Sequence, residues 1–260
     1  MPPNELSIDV HGTRLRLLSA GSGPPLVFLH GLLGEFEWLP LFETLSREFK
    51  IYVPENPGLT ETEGLERIES IYDLVFLFAD LLDCLQLERP FMAGVSVGGW
   101  IAAELAVHYP GRVGKLVLID PMGLKLPGVF FPDIFAANPS ETRALLFKNP
   151  NSELARSLLS DTPSPELLTR MLASRQALAR IAWNPYLHDP KLKDRLYRVQ
   201  ATTLILWGDA DRLVSPEHAR LYADNINGAR LGIIEECGHL PSLEKPQETA
   251  KHISEFLRQA

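Results

Sequence analysis

A serine flanked by glycines is the first group in the sequence with the setting of a nucleophile. It lies in Gly-Val-Ser-Val-Gly at residues 94–98, and Gly99 follows. An apolar run at residues 91–95 leads into the serine and a helical pattern at residues 100–108 follows it, which predicts a sharp strand-to-helix turn. On such a turn the hydroxyl of Ser96 projects above the sheet, and the glycines leave room for the tightly bent backbone.

A second glycine-containing segment, His-Gly-Leu-Leu-Gly at residues 30–34, directly follows the apolar run at residues 26–29. Glycines here let the backbone approach a bound carbonyl group. We predict that the backbone N–H groups of Leu32 and Val97 form an oxyanion hole, in which each donor contributes roughly 2.7–4 kcal/mol of transition-state stabilisation. We interpret His30 as a residue that orders this loop by hydrogen bonding.

An acid and a histidine come later in the chain, each after an apolar run. The acid lies in Trp-Gly-Asp-Ala-Asp at residues 207–211, and the histidine lies in Cys-Gly-His-Leu-Pro at residues 237–241. A serine hydroxyl is a weak nucleophile near neutral pH, so a histidine must accept its proton and a carboxylate must orient that histidine. These residue types predict His239 as the base and either Asp209 or Asp211 as the acid.

The apolar runs alternate with helical patterns, which is typical of a mostly parallel sheet with crossover helices. We predict an opening hairpin and six further strands, at residues 6–10, 14–18, 26–29, 50–54, 91–95, 115–120, 203–207 and 230–234. The runs at residues 26–29 and 116–119 are continuously apolar, so helices should cover both faces of the sheet. The predicted fold class is therefore α/β, with eight strands.

The alternation stops between residues 121 and 199, where prolines separate short helical segments. The longest segment, residues 165–182, begins after Ser164 with a proline and a glutamate, which is a typical helix start. We predict that residues 121–199 form an inserted helical cap, and that residues 1–120 and 200–260 form the core. The cap should cover the carboxyl ends of the strands, where ligands of open α/β sheets bind.

The composition restricts the classes of partner. The 33 acidic and 25 basic residues give a net charge of −8, which argues against a nucleic-acid-binding or anionic-membrane-binding surface. Two cysteines are too few for a disulfide scaffold or a four-cysteine zinc cluster, and the histidines show no metal-ligand spacing. No nucleotide-binding glycine motif is present, so we expect neither a metal nor a cofactor. The N-terminal residues lack secretion-signal features, so we expect a cytoplasmic protein with a small-molecule substrate, while the oligomeric state stays open.

Taken together, these motifs resemble the α/β-hydrolase superfamily, in particular its cap-bearing group of small esterases, lactonases and meta-cleavage-product hydrolases. The resemblance extends from residue 26 to residue 257 apart from the cap, and includes Gly-His-Leu-Pro at 238–241 and Glu-Lys-Pro at 244–246. The order of serine, acid and histidine along the chain is that of the family's triad. The resemblance implies Ser96 as the nucleophile, His239 as the base and, from the family's Gly-x-x-Asp habit, Asp211 as the acid.

The activity that this resemblance implies is cofactor-independent hydrolysis of a carboxylic ester or a lactone through an acyl-enzyme on Ser96. A serine disfavours haloalkane dehalogenase or epoxide hydrolase activity, because those members use a carboxylate nucleophile. Val95 precedes the nucleophile, where carbon–carbon bond hydrolases of the group often have asparagine. Hydrolysis of meta-cleavage ring-fission products nevertheless remains an alternative, as do a cyanohydrin lyase and a non-catalytic ligand-binding protein.

The substrate pocket is the part of the site with the weakest sequence signal. Four apolar residues beside the catalytic motifs or in the cap are expected to contact the substrate: Leu33, Phe131, Trp183 and Leu240. Arg175 and Arg180 in the cap are candidates to bind a substrate carboxylate, although solvated arginines are the simpler interpretation.

Overall fold

An eight-stranded sheet runs through the part of the chain that the structure, a computed structural model, describes: residues 3–31, 37–58, 62 and 64–259. The strands are β1 (Asn4–Val10), β2 (Thr13–Ala20), β3 (Pro25–Leu29), β4 (Lys50–Pro54), β5 (Phe91–Val95), β6 (Lys115–Ile119), β7 (Thr202–Gly208) and β8 (Arg230–Ile234). Their order is β1-β2-β4-β3-β5-β6-β7-β8. Strand β2 is antiparallel to both of its neighbours, and the other neighbouring pairs are parallel. The predicted α/β fold class with a mostly parallel sheet is confirmed.

Helices cover both faces of this sheet. They are α1 (Pro40–Leu45), α2 (Ile71–Cys84), α3 (Val97–His108), α4 (Pro139–Leu146), α5 (Glu153–Leu158), α6 (Pro165–Ala182), α7 (Glu217–Asn225), α8 (Pro241–Glu244) and α9 (Pro246–Arg258). Alternate residues of β3 point to opposite faces: Leu26 and Phe28 pack in the apolar cluster of α1 and α9, and Val27 and Leu29 in that of α2 and α3. Burial on both faces explains why this strand is continuously apolar.

Two helix starts follow from local side-chain hydrogen bonds. The backbone N–H of Ser70, just before α2, donates to the Asp73 carboxylate at 2.8 Å. The hydroxyl of Ser164 accepts from the N–H of Leu167 at 3.3 Å, so α6 begins where the sequence predicted. Among the helices within the described ranges, none combines the length and the apolar character needed to cross a lipid bilayer.

The connection from β6 to β7, residues 120–201, is helical and is called the β6–β7 insertion below. It contains α4, α5, α6 and a 3-10 helix at Lys193–Arg198. Apart from one bridge between Gly123 and His188, the described residues of this connection form no β-structure. The division of the chain into a core and a separate cap domain stays a prediction.

The parallel strands bring four loops to one edge of the sheet. Strands β5 to β8 run in the same direction, so their carboxyl ends lie side by side. Ser96 follows β5, Asp120 follows β6, Asp211 follows β7, and His239 follows β8. This edge is where an open α/β sheet binds its ligand.

Candidate active site

The turn between β5 and α3 places Ser96 in a strained backbone conformation. Its φ is +57° and its ψ is −121°, in a region that side-chain-bearing residues seldom adopt. The turn closes so tightly that a Cβ on Gly94 would lie 2.3 Å from the carbonyl oxygen of Gly98, and one on Gly98 would lie 2.1 Å from that of Leu29. Glycine is therefore required at both positions for the serine to project above the sheet.

Ser96, His239 and Asp211 form a continuous hydrogen-bonded chain. The Oγ of Ser96 lies 2.8 Å from Nε2 of His239, and Nδ1 of His239 lies 2.7 Å from Oδ2 of Asp211. All three side chains are buried. This arrangement fits a catalytic triad, in which the imidazole accepts the serine proton and the carboxylate fixes the imidazole tautomer.

The structure shows which of the two candidate acids, Asp209 or Asp211, contacts His239. The Oδ1 of Asp211 accepts the N–H groups of Leu213 and Val214 at 2.8 and 2.9 Å, which leaves Oδ2 for His239. Asp209 is exposed, and its carboxylate accepts the N–H of Cys237 at 3.1 Å. Asp211 is therefore the carboxylate that contacts the histidine, and Asp209 holds the loop that carries it.

The loop with His239 is bonded to the β6–β7 insertion through its backbone. The N–H of His239 donates to the carbonyl of Leu146 at 2.8 Å. The Glu244 carboxylate accepts the N–H of Gly238 at 2.7 Å and the N–H of Lys148 at 2.9 Å, so one side chain joins the histidine loop to the end of α4. Burial raises the pKa of this carboxyl. The sequence marked Glu244 only as part of a family-like string and gave no sign of this role.

A further carboxyl group, Asp120, lies under the triad and was missed at the level of sequence. It is fully buried at the end of β6, and its Oδ1 accepts the N–H of Gly208 at 3.0 Å. Burial, followed by the negative charge of Asp211, raises the pKa of Asp120 well above its usual range. Its only sequence signal was an aspartate at the end of an apolar strand.

Potential metal-ligating atoms come together at one place among the described residues. Asp120, Asp211 and His239 each offer one atom, and these atoms lie within 4.8 Å of one another. Both ring nitrogens of His239 are already bonded, one to Ser96 and the other to Asp211. The arrangement therefore suits proton transfer rather than metal coordination.

One of the two predicted oxyanion donors can be located. Val97 is the first residue of α3, so its N–H has no carbonyl within the helix to bond, and the residue lines the cavity beside Ser96. Leu32 lies outside the described residues. The preceding His30 is buried and neutral at physiological pH, because burial lowers its pKa to about 4. Its Nε2 accepts the N–H of Asn56 at 3.2 Å, a contact that fits a loop-ordering role.

A cavity of about 280 Å³ opens above Ser96 and His239. Leu240 lines it, as expected, and Leu33 lies outside the described residues. Phe131 and Trp183 do not line this cavity: Phe131 stacks on His218 with ring centroids 5.5 Å apart, and Trp183 packs on Phe135 and is 60% exposed. The structure thus does not support these two as substrate contacts, because their rings pack against other aromatic rings.

Helix α6 supplies one wall of the cavity through a stripe of which the sequence had indicated only Arg175. The lining residues of this helix recur at helical spacing: Leu167, Arg170, Met171, Ser174, Arg175 and Leu178. Their spacing of three and four residues is visible in the sequence and was the available signal. Leu168 and Leu172 lie on the outer side of the helix and are 45% and 58% exposed.

The cavity wall also carries charged groups. Arg170 forms an ion pair with Glu37 at 3.5 Å, and the guanidinium of Arg175 donates to the carbonyl of Ala137 at 2.6 Å. All three of Glu37, Arg170 and Arg175 line the cavity. Arg180 instead donates to the carbonyl of Ile68 at 3.2 Å and does not reach the cavity. Arg175, but not Arg180, is therefore placed where a substrate carboxylate could meet it.

Comparison with known proteins gives concordant matches. A family model described as the alpha/beta hydrolase fold matches residues 24–246. The chain is 28% identical to 2-hydroxy-6-oxo-6-phenylhexa-2,4-dienoate hydrolase of Comamonas testosteroni, over 92% of this chain and 90% of that protein. It is 27% identical to the monoacylglycerol lipase ABHD6 of Mus musculus, over 91% and 76% of the two chains. The solved 2-hydroxy-6-oxo-6-phenylhexa-2,4-dienoate hydrolase of Rhodococcus sp. strain RHA1 shares the fold, with a TM-score of 0.81, 21% identity and 99% coverage of both chains.

Proposed function

The chain belongs to the α/β-hydrolase fold family and is a serine hydrolase, and from this premise we propose that it cleaves a carboxylic ester or a lactone with Ser96 as the nucleophile. The observation that carries this proposal is the unbroken chain of contacts from Ser96 Oγ through His239 to Asp211, at 2.8 and 2.7 Å. Binding alone requires no such proton relay. The reaction needs neither a metal nor a cofactor.

The first half of the reaction forms an acyl-enzyme. The Oγ of Ser96 attacks the ester carbonyl carbon while Nε2 of His239 accepts the hydroxyl proton. The oxyanion of the tetrahedral intermediate accepts the N–H of Val97 and, on the sequence prediction, that of Leu32. The intermediate then expels the alkoxide, which takes the proton from Nε2 and leaves as the alcohol. The acyl group remains esterified to Ser96.

The second half releases the acid. Nε2 of His239 removes a proton from a water molecule, whose oxygen attacks the acyl carbon. The second tetrahedral intermediate collapses with departure of Ser96 Oγ, which recovers the proton from His239. For a lactone the alcohol and the acid belong to one product molecule. Asp211 keeps its negative charge throughout and balances the imidazolium that forms twice.

The size and lining of the cavity favour a small substrate. Its volume of about 280 Å³ lies at the lower edge of the ~300–1,000 Å³ typical of small-molecule pockets. Ile134, Phe135 and Leu240 give the lining an apolar character, which suits an alkyl or aryl acyl group. We also propose that residues 121–199 act as the cap that encloses this substrate, with α6 as its inner wall.

The test compares two serine variants with the native protein. Ser96→Ala should lower turnover of a short-chain aryl ester by at least ~10⁴-fold and abolish labelling by a fluorophosphonate probe, because it removes the hydroxyl that contacts Nε2 of His239. Ser7→Ala, which removes an exposed serine on β1, serves as the control and should retain both. Undiminished turnover or labelling in a folded Ser96→Ala variant would defeat the proposal. Failure of the native protein to react with the probe would instead support a ligand-binding protein.

A second candidate is hydrolysis of a carbon–carbon bond in a ring-fission product. It is favoured by the similarity to the Comamonas enzyme named for a phenyl-substituted dienoate, and by Arg170 and Arg175 on the cavity wall. Against it, the buried Val95 provides no polar side chain before the nucleophile. Parallel assays on one preparation separate the two: bleaching of a coloured 2-hydroxy-6-oxo-dienoate that exceeds ester turnover would select the second candidate.

A further inference from the structure

Asp120 is a buried carboxyl group that the mechanism above leaves without a task. It is 0% exposed, and its Oδ1 accepts the N–H of Gly208. Its Oδ2 is also buried and has no donor among the residues that the structure describes. An ionised carboxylate with one hydrogen bond and no cation beside it is costly to bury, so the charge state of Asp120 needs an explanation.

Asp211 is the neighbouring group that bears on the charge state of Asp120. Its carboxylate already accepts three donors: the N–H groups of Leu213 and Val214, and Nδ1 of His239. Asp211 therefore has three donors around its carboxylate, whereas Asp120 has one. Carboxyl oxygens of Asp120 and Asp211 lie within 4.8 Å of each other, and the charge of Asp211 raises the pKa of Asp120. Two adjacent buried carboxyl groups cannot both be ionised at low cost, and they share a proton instead.

We propose that Asp120 is protonated in the working protein and donates its O–H to the Asp211 carboxylate, as a fourth donor that positions the catalytic acid. This inference deepens the proposed function and rests on it for the role of Asp211. Asp120 touches neither the substrate nor the reacting atoms, so it is a positioning residue. The pair carries one negative charge, which is the charge that a single imidazolium on His239 balances.

The surroundings of Asp120 support this charge state. The ionisable groups that act on it or lie beside it are Asp211 after β7, Cys237 and His239 after β8, and Glu244 in α8. Burial and the charge of Asp211 raise the pKa of Asp120, and the N–H of Gly208 lowers it by a smaller amount. The group therefore stays protonated as the pH rises past the usual range of an aspartate. A positive φ of 42° also suits this position to aspartate, asparagine or glycine.

Infrared difference spectroscopy tests directly whether the carboxyl group of Asp120 carries a proton. The difference spectrum between the native protein and Asp120→Asn at pH 7 should contain the carbonyl stretch of a protonated carboxylic acid. Asp209→Asn is the matched control, because Asp209 is an exposed carboxylate on the neighbouring loop and its loss should remove no such band. A spectrum in which Asp120→Asn removes only carboxylate bands would overturn the proposal. This measurement needs no turnover, so it stands even if the proposed ester hydrolysis fails.

The pH dependence of kcat/KM distinguishes whether Asp120 acts on Asp211 as a hydrogen-bond donor or as a negative charge. Asparagine can accept the N–H of Gly208 and donate an amide N–H to Asp211, so Asp120→Asn should retain the acidic limb of the kcat/KM profile. Asp120→Gly removes the donor without backbone strain, and should lower kcat/KM about tenfold and move the acidic limb to higher pH. The shift has this sign because Asp211, with one donor fewer, favours the imidazolium more strongly.

Two kinetic outcomes would contradict the proposal. An acidic limb that moves to lower pH in Asp120→Asn would mean that the native group is an anion, whose removal disfavours the imidazolium. An unchanged rate and profile in a folded Asp120→Gly would mean that no donor to Asp211 was lost. The NMR titration of the His239 imidazole in Ser96→Ala and Ser96→Ala/Asp120→Asn gives the same discrimination without catalysis, and should give equal midpoints.

Discussion

The floor and the wall of the cavity are built by different means. Ser96 and His239 line the floor, and Asp120 and Asp211 support it from beneath; all four are buried on loops at the ends of parallel strands. The wall is α6, whose inner stripe is half apolar and half polar, and whose ion pair between Arg170 and Glu37 joins side chains that are 41% and 69% exposed. Exposed ion pairs contribute only ~0–1 kcal/mol. The floor is therefore held by buried hydrogen bonds to backbone and carboxyl groups, whereas the exposed ion pair contributes little to holding the wall in place.

Replacing the acid that contacts His239 should have the largest effect on the floor. Asp211→Asn should lower kcat by about 10⁴-fold, because an amide cannot hold the imidazole in the tautomer that accepts the serine proton. Asp209→Asn should change kcat by less than about threefold, since Asp209 bonds only to the loop backbone. Steady-state turnover of one aryl ester measures both. Equal losses in the two variants would remove the distinction between the two acids.

Filling the space inside the nucleophile turn should disrupt the floor by a steric route. A Cβ at residue 98 would lie 2.1 Å from the Leu29 carbonyl oxygen, so Gly98→Ala should cost about 3 kcal/mol in the free energy of unfolding and most of the ester turnover. Gly111→Ala is the control, because no heavy atom lies within 4 Å of its added Cβ. Urea unfolding compares the two. A Gly98→Ala variant as stable and active as the control would show that the turn is not close-packed.

Helix α3 leads away from the floor and contacts the 3-10 helix of the insertion. It contains a buried acid that should make the free energy of unfolding depend on pH. Burial raises the pKa of Glu104 on α3 to about 8, from an ordinary value of 4.5. As the pH rises through this window the unfolded chain loses the proton first, so the free energy of unfolding should fall by about 4 kcal/mol between pH 5 and pH 9. Glu104→Gln should flatten this slope, as measured by urea unfolding at each pH. An unchanged slope would assign the pH dependence to other groups.

Substitutions in the wall should have the smallest effect. They should change the selectivity between substrates rather than the rate of the chemical step. Met171 lines the cavity and its neighbour Leu172 faces outward. Met171→Ala should change the ratio of kcat/KM between long and short acyl esters by about tenfold, since even one methylene group in a pocket contributes ~1–3 kcal/mol. Leu172→Ala should leave this ratio unchanged. If both variants alter it equally, α6 acts through its stability and not through contact.

The same contrast explains what the sequence could predict. The sequence could predict Ser96 and His239 as candidates because each lies in a short glycine-containing motif beside an apolar strand, and local patterns determine such turns. The role of Asp211 rather than Asp209 rests on the N–H groups of Leu213 and Val214, which only the folded loop displays. The family habit selected the same residue.

Other parts of the site depend on contacts between distant segments. Asp120 meets Asp211 only when β6 and β7 pair, so no local motif marks it. The large aromatic residues Phe131 and Trp183 indicated an apolar insertion but not which side of it faces the substrate. The inner side of α6 was encoded by the spacing of Leu167, Met171 and Ser174, which becomes meaningful once the position of the helix over the sheet is known.

The bond from the His239 N–H to the Leu146 carbonyl limits how this protein could be recombined with its relatives. An exchange of the insertion that began at residue 121 would replace the backbone segment whose carbonyl at Leu146 and N–H at Lys148 hold the histidine loop, so the new segment would have to present both groups in the same places. A chimaera joined after Lys148 would keep both partners and would transplant α5, α6 and the following 3-10 helix. New specificities could then be grafted from that junction onward, with the native proton relay left intact.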